Sequence, residues 1–154
     1  RPVFNSPVTP SKARPPMPMP MDYRLAAQDF DRFLTDVVEA TGLTTRNQAY
    51  TTIQAVLICF RRRLTLREAI VFAQVLPAML RALFVEDWDP DAPQATSWVR
   101  ATMTEEVKAL RVDHNFSPDT AIHDVASVLR RHVEAEAFER VLTRLPAPAR
   151  DFWS

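Results

Sequence analysis

The sequence predicts an all-α protein in which about eight helices, arranged as two similar halves, surround one core. Three observations lead to this prediction. Apolar residues recur at the spacing of amphipathic helices along most of the chain, and no stretch alternates as a strand would. Residues typical of helix starts and ends separate these stretches. A segment of nine residues also occurs twice, as LPAMLRALF at residues 76–84 and as LPAPARDFW at residues 145–153.

The first long helix has clear boundaries in the sequence. Its apolar stripe includes Phe33 and Val37, and Gly42, the only glycine, follows that stripe. Glycine is typical of the left-handed residue that ends a helix, so we expect the helix to end there. Thr44 or Thr45 can cap the next helix, and Thr45 with Gln48 three residues later has the spacing of a capping box, so we expect that helix to begin at once.

Two shorter helices are predicted to complete the first half. Thr65 and Glu68 form a second capping box, and the helix that follows is expected to run through Val75. Proline suits the first turn of a helix, where a backbone N–H has no partner. Pro77 therefore predicts another helix, which runs to about Phe84.

The second half begins with a stripe that includes Val99 and Met103. Asn115 follows it, and asparagine is the other residue that tolerates the left-handed helix end. Ser117 and Pro118 then predict a capped helix with proline at its first position. Two further apolar stripes and the second copy of the nine-residue segment predict the remaining helices.

The similarity of the halves extends beyond the nine residues. Gly42 aligns with Asn115, and Ile53 aligns with Val125. The separation between matched residues falls along the chain, which indicates small deletions in the second copy near residues 130–136. Such a duplication predicts that each half closes the apolar face of the other.

We expect one helical domain preceded by an arm. Seven of the 13 prolines lie in residues 1–21, which we interpret as an extended arm. Residues 22–154 are long enough to bury one core. Within them we assign residues 22–87 to the first half, residues 88–97 to a connector rich in proline and acids, and residues 98–154 to the second half.

Composition excludes several classes of protein. The arm carries three basic residues and no acid, so the rest of a chain with 19 basic and 19 acidic residues is slightly acidic. A slightly acidic domain is a poor general nucleic-acid binder. A single cysteine, Cys59, provides neither a disulfide framework nor a cysteine-cluster metal site. No apolar run is long enough for a membrane span, so we expect a cytoplasmic protein.

No residues are assigned to catalysis, to a cofactor or to a metal. The even spacing of His114, His123 and His132 places neighbouring histidines on opposite helix faces, whereas a helical metal pair needs a spacing of three or four residues. Cys59 has no base close to it in the sequence, so we interpret it as a small buried thiol.

Consecutive arginines provide the first candidate binding site. Arg61, Arg62 and Arg63 end one predicted helix, and a basic run at residues 130–132 has a similar place in the other half. One interpretation is a twofold site for an anion. The other is structural, since cations are stabilised near the C-terminus of a helix by about 0.3–1 kcal/mol each.

A second pair of arginines lies within the repeated segment. Arg81 and Arg150 occupy equivalent positions, and a matched pair could line a cleft between the halves. The alternative is that each pairs with an acid such as Glu86 or Asp151, or donates to backbone carbonyls.

Tryptophans lie on both sides of the connector. Trp88 and Trp98 could anchor a partner, because tryptophan is enriched at binding hot spots. The same side chains could instead attach the connector to the core. In the arm, Lys12, Pro15 and Pro18 have the spacing of some polyproline ligands.

The chain resembles a family of bacterial proteins called domain of unknown function twenty-two sixty-seven. The segments FLTDVVEATGL, AVLICFRRRL and QVLPAMLRALF carry the resemblance, together with VEDWDP after the first repeated segment. It covers roughly Phe30–Trp153. The resemblance implies an all-helical tandem repeat without an established activity, and it supplies no catalytic residues. The second half departs from the pattern in its shortened turn near residues 130–136, and Pro148 makes its last helix less regular.

Three functional hypotheses follow. The first is a non-enzymatic helical interaction module that binds a protein partner, self-association included. The second is a protein that binds a small molecule or an anion between the halves. The third is an enzyme whose residues converge only in three dimensions, and we rank it last because the sequence contains no catalytic constellation.

Overall fold

A computed structural model describes residues 17–154. Residues 1–16, and with them Lys12 and Pro15 of the predicted polyproline spacing, lie outside the described residues. The described part is helical and contains no strand, so the predicted all-α class is confirmed. Within residues 17–154, no helix has both the length and the apolar content that a membrane span requires. The helices are α1 (Met21–Arg24), α2 (Ala26–Thr41), α3 (Arg46–Arg61), α4 (Leu66–Ala73), α5 (Ala78–Val85), α6 (Arg100–Ala109), a 3-10 helix (Val112–His114), α7 (Ala121–Arg131), α8 (Ala135–Leu142) and α9 (Ala147–Phe152).

The helices pack around one core with aromatic rings at its centre. Phe60, Phe72, Phe84, Phe152 and Trp153 are almost completely buried. The Trp153 ring stacks on Phe72 with 5.5 Å between ring centroids, and it meets Phe60 edge to face at 5.2 Å. Both copies of the repeated segment therefore end in aromatic residues of the same core.

Several predicted helix boundaries agree with the structure. Gly42 ends α2 in the left-handed conformation, with φ of 72°. The Thr45 side chain accepts from the backbone N–H of Gln48, and the Gln48 side chain accepts from the backbone N–H of Thr45, as a capping box requires. Thr65 and Glu68 form the same arrangement at the start of α4. These boundaries were predictable because each one involves residues only a few positions apart.

The turn between α4 and α5 differs from the prediction. Helix α4 ends at Ala73 and does not reach Val75. Pro77 precedes α5 with extended backbone, ψ of 150°, and its carbonyl accepts from the backbone N–H of Arg81. In contrast, Pro148 lies in the first turn of α9, where a missing N–H costs no hydrogen bond.

The predicted left-handed conformation of Asn115 is wrong. Its φ is −110°, and Arg111 has the positive φ of this loop, 49°. The Asn115 side chain has a different task, because its amide nitrogen donates to the carbonyls of Val107 and Leu110 at 2.7 Å. Asparagine thus satisfies the end of α6 through its side chain.

The predicted cap at Ser117 and Pro118 is also wrong. Helix α7 begins at Ala121, and the residue before it, Thr120, makes no side-chain capping bond. Ser117 is buried, and its hydroxyl lies 2.8 Å from the hydroxyl of Thr52 on α3. Ser117 therefore bonds to Thr52 of a distant helix and does not cap α7, the role that its spacing predicted.

Replacing Gly42 tests the left-handed end of α2. An added Cβ would meet no atom within 4 Å, so conformation alone decides the cost. We expect Gly42→Ala to lower the free energy of unfolding by about 1–2 kcal/mol. Gly42→Asn should cost less, since asparagine tolerates this conformation. Urea unfolding followed by circular dichroism measures both, and an alanine variant as stable as the wild type would contradict the assignment.

Candidate functional site

Five of the seven candidate binding residues come together where α3 meets the connector. We call this set the arginine cluster; its members are Arg61, Arg62, Arg63, Trp88 and Trp98. Non-helical residues 86–99 run past the end of α3 and are attached to it by backbone contacts. A surface depression of about 470 Å³ lies beside the cluster.

Arg61 is buried, and its Nη1 is directed to the backbone. Its Nη1 donates to the carbonyls of Phe84 and Glu86 at 3.0 and 2.9 Å. Its guanidinium carbon lies 5.5 Å from the ring centre of Trp88. Burial lowers the pKa of Arg61, and the charge of Asp87 opposes that effect. Arg61 therefore joins the end of α5 to the end of α3.

Arg62 and Arg63 share one carboxylate. Arg63 is buried and donates from two nitrogens to Glu106 on α6, at 2.8 and 3.1 Å. It also donates to the carbonyls of Cys59 and Ser97. Arg62 is half exposed, and its Nη1 lies 2.8 Å from the same carboxylate.

Charge and burial act in opposite directions on Glu106. Burial by itself would raise the pKa of the Glu106 carboxyl, but hydrogen bonds from Arg63 and Cys59 and the charges of Arg63 and Arg62 outweigh it, so the pKa is lowered. Burial lowers the pKa of Arg63, but the contacts with Glu106 and Cys59 outweigh it, so the net shift is upward. Both groups stay ionised at neutral pH.

The tryptophans of the cluster pack on the core. Trp98 meets Phe60 and Phe152 edge to face, with 6.0 and 6.5 Å between centroids. Trp88 is partly buried beneath Arg61. These contacts attach both ends of the connector to the helical domain.

The second half repeats the carbonyl contact of Arg61. Arg130 near the end of α7 donates from Nε to the carbonyl of Trp153, as Arg61 donates to that of Phe84. It also lies over the ring of Phe138, at 5.2 Å. This agreement supports the predicted duplication, which remains a prediction. Arg130 also has a carboxylate partner, Glu139, at 2.6 Å.

Arg81 and Arg150 lie apart from the cluster and in different surroundings. Arg81 donates to the carbonyls of Ala73 and Leu76, which matches the carbonyl alternative. Arg150 is half exposed, and its Nε lies 3.9 Å from the carboxylate of Glu139. In place of the expected partners Glu86 and Asp151, Arg81 uses carbonyls at the end of α4 and in the turn before α5, and Arg150 faces Glu139 on α8.

Cys59 is buried as expected, and burial raises the pKa of its thiol to about 12. His132 has a less expected place, since its Nε2 lies 2.6 Å from Oδ2 of Asp36 on α2. Its ring also meets Phe33 edge to face. Across residues 17–154, no three histidine, cysteine or acidic side chains come together as metal ligands.

A larger depression lies between elements of both halves. We call it the interhelical groove; α2, the turn between α4 and α5, and the turn between α7 and α8 form its walls. Its volume is about 630 Å³. Apolar side chains line much of it, including Phe30, Val75, Met79 and Val133.

Acidic residues predominate among the charged side chains of the interhelical groove. Among the described residues that line it, Asp22, Asp29 and Glu134 provide three carboxylates and Arg32 provides one guanidinium. Arg32 is bound to Asp29, and His132 faces Asp36. The groove therefore combines apolar lining with an excess of negative charge.

The wall of the groove also contains the start of a helix. Residues 77–80 line it, and no described residue provides a side-chain cap at the N-terminus of α5. The first backbone N–H groups of a helix have no partner within the helix. The groove thus presents hydrogen-bond donors as well as acidic and apolar groups.

Sequence reasoning did not identify the residues of the interhelical groove. Asp22, Asp29 and Glu134 had no distinguishing pattern in the sequence. Their spacing in the chain contains no signal, because the groove forms only when the turn after α7 packs beside α2.

Removing Arg63 and Arg62 separately tests the unequal burial in the arginine cluster. The Arg63 side chain is 1% exposed and Arg62 is 47% exposed. We expect Arg63→Ala to lower the free energy of unfolding by about 2–4 kcal/mol, because the partly buried Glu106 carboxylate keeps only the exposed Arg62 as a charged partner among the described residues and two carbonyls lose a donor. Arg62→Ala should cost about 1 kcal/mol or less. Equal losses in urea unfolding would show that burial does not distinguish the two arginines.

The lowered pKa of Glu106 predicts a pH dependence of stability. The folded protein binds the proton on Glu106 less readily than the unfolded chain does. The charged carboxylate therefore stabilises the fold above the ordinary glutamate pKa of about 4.3, and this contribution is lost as the pH falls below it. The stability difference between the wild type and Glu106→Gln should shrink between about pH 7 and pH 3.5. A constant difference in urea unfolding would contradict this assignment.

Comparison with known proteins agrees with the resemblance in the sequence. No curated protein matches the chain. The family model described as an uncharacterized conserved protein, DUF2267, matches residues 30–152. This span includes the first repeated segment, all but the last residue of the second, the arginine cluster and most of the elements around the interhelical groove. Because the match covers most of the chain, the protein belongs to the DUF2267 family.

Proposed function

We propose that the protein is a non-enzymatic helical interaction module whose interhelical groove binds an extended, proline-rich and basic segment of a protein. One observation carries the proposal: the groove combines an apolar lining with three carboxylates and a single guanidinium. Each component corresponds to a chemical feature of such a segment.

The volume and lining of the groove suit a peptide. A volume of about 630 Å³ lies within the usual range of binding sites, roughly 300–1,000 Å³. Phe30, Val75 and Met79 present apolar surface on which proline rings can pack, as they do in aromatic-lined grooves that bind polyproline segments. An extended proline-rich segment also loses little conformational entropy on binding.

Hydrogen bonding favours proline for a second reason. Proline has no backbone N–H, so a proline-rich segment offers mainly carbonyl acceptors. The start of α5, with Pro77 and Ala78 in the groove wall, has uncapped backbone donors. Donors and acceptors would therefore match along the segment.

Charge selects the side chains of the partner. Asp22, Asp29 and Glu134 attract lysine and arginine, and they repel an acidic segment or a small anion. The anion hypothesis is thus less compatible with this groove than a basic peptide is. We place this binding in the cytoplasm, which fits a chain whose single cysteine is a buried thiol.

A peptide titration tests the proposed function. The protein, labelled with ¹⁵N, is titrated with a short synthetic peptide rich in proline and lysine. We expect shifts of the backbone resonances of Ala78, Met79 and Val133. A peptide with glutamate for each lysine, and one with alanine for each proline, should bind more weakly.

Matched variants locate the binding surface. Asp22→Asn with Asp29→Asn should weaken binding of the lysine peptide about threefold to tenfold. Glu105→Gln with Asp113→Asn removes two exposed acids outside the groove and should leave affinity unchanged. Resonance shifts confined to residues away from the groove, or equal effects of the two double variants, would refute the proposed function.

A further inference from the structure

We propose that the occupant of the interhelical groove is residues 12–18 of a second copy of this chain, so that two copies exchange their arms. The inference rests on the proposed function and names the partner. Three observations support it: the chemistry of the arm, the position of its attachment, and the exposure of its described end.

The arm has the chemistry that the groove requires. Residues 12–18 read KARPPMP, with two basic residues and three prolines. Residues 1–21 contain no acid, whereas the groove has an excess of carboxylates. Lys12 and Arg14 can therefore reach opposite charges at Asp22, Asp29 and Glu134 while the prolines pack on the apolar lining.

The attachment of the arm brings it to the groove of a neighbouring molecule. Asp22, in the first helix after the arm, is itself a groove residue. When two copies approach with their grooves facing each other, each arm begins at the edge of one groove and lies close to the other. Such an exchange is isologous and closes a twofold dimer.

Residues 17–20, the described end of the arm, favour binding to the groove of a second copy over binding to the groove of the same molecule. Residues 17–20 are exposed and lead directly into α1. Pro18 precedes Asp22 by four residues, a span of about 12 Å for an extended chain. Pro18 and Pro20 restrict backbone rotation within that span. A connection this short, stiffened by two prolines, disfavours a return of residues 12–18 to the groove that Asp22 lines, and a second copy does not require that return.

Exchange also strengthens a contact that would be weak by itself. Once the first arm is bound, the second arm is held near its groove at an effective concentration of about millimolar. Two modest contacts then act together. The same geometry predicts that the dimer depends on salt, because each contact pairs exposed opposite charges.

Charge-reversal variants of the full chain test the exchange. The arm variant carries Lys12→Glu and Arg14→Glu, and the groove variant carries Asp22→Lys and Asp29→Lys. In each variant alone, arm and groove have the same sign of charge. In an equal mixture, every arm of one variant meets a groove of opposite charge on the other.

Sedimentation velocity between about 10 and 300 μM measures the result. We expect the wild type to dimerise, each variant alone to dimerise at least tenfold more weakly, and the mixture to regain wild-type affinity within about threefold. Glu105→Lys with Asp113→Lys is the matched control and should leave dimerisation unchanged. Circular dichroism verifies that each variant is folded; the arm variant alters only residues that precede α1.

Two outcomes overturn the inference: a wild type that stays monomeric throughout this range, or a mixture of variants that does not dimerise. The peptide titration separates this failure from that of the proposed function. If the lysine peptide binds the groove and the wild type is monomeric, the groove binds a segment of another protein and not the arm of a second copy. If the peptide does not bind either, both proposals are wrong.

Discussion

The indole of Trp153 packs against Phe60 and Phe72, and this contact holds the last helix against helices that come much earlier in the chain. Its Nε1–H has no hydrogen-bond partner among the described residues. Leaving such a donor unpaired costs about 1–3 kcal/mol, whereas burying a whole aromatic side chain contributes about 3–5 kcal/mol. Burial of the Trp153 ring therefore outweighs the cost of its unpaired N–H. Helix α9 also contacts α7, which packs against α2, and the interhelical groove lies beside that contact.

Two arginines, Arg61 buried and Arg130 partly exposed, complete the connection between the helices. Arg61 and Arg130 each donate to the carbonyl of the aromatic residue near the end of a later helix, Phe84 or Trp153. Arginine suits this task because it has several donors and a planar group that packs on aromatic rings. The contacts account for the arginines structurally, and a binding role for them remains a prediction. The depression that combines apolar and acidic lining lies elsewhere and is the interhelical groove.

Local signals explain how much of the fold could be predicted. Gly42 and the capping boxes at Thr45 and Thr65 were predicted correctly, since each depends on neighbouring residues and backbone geometry. Asn115 and Ser117 were predicted from similar signals and were assigned the wrong roles. The partner of Ser117, Thr52, lies on a distant helix, and Asn115 used its side chain where its backbone was expected to act. Local rules fail where a nonlocal or side-chain partner competes.

The sequence by itself determined the helical class, the repeated segment, the core-facing stripes and the family, because hydrophobic periodicity and capping act within a few residues. It also contained the basic, proline-rich chemistry of the arm. Only the tertiary structure decided that Asp22, Phe30, Met79 and Glu134 share one groove, and that Arg61 and Arg63 are buried. These residues lie far apart in the chain, and no local preference encodes their distance. Packing of the core determines which of them meet.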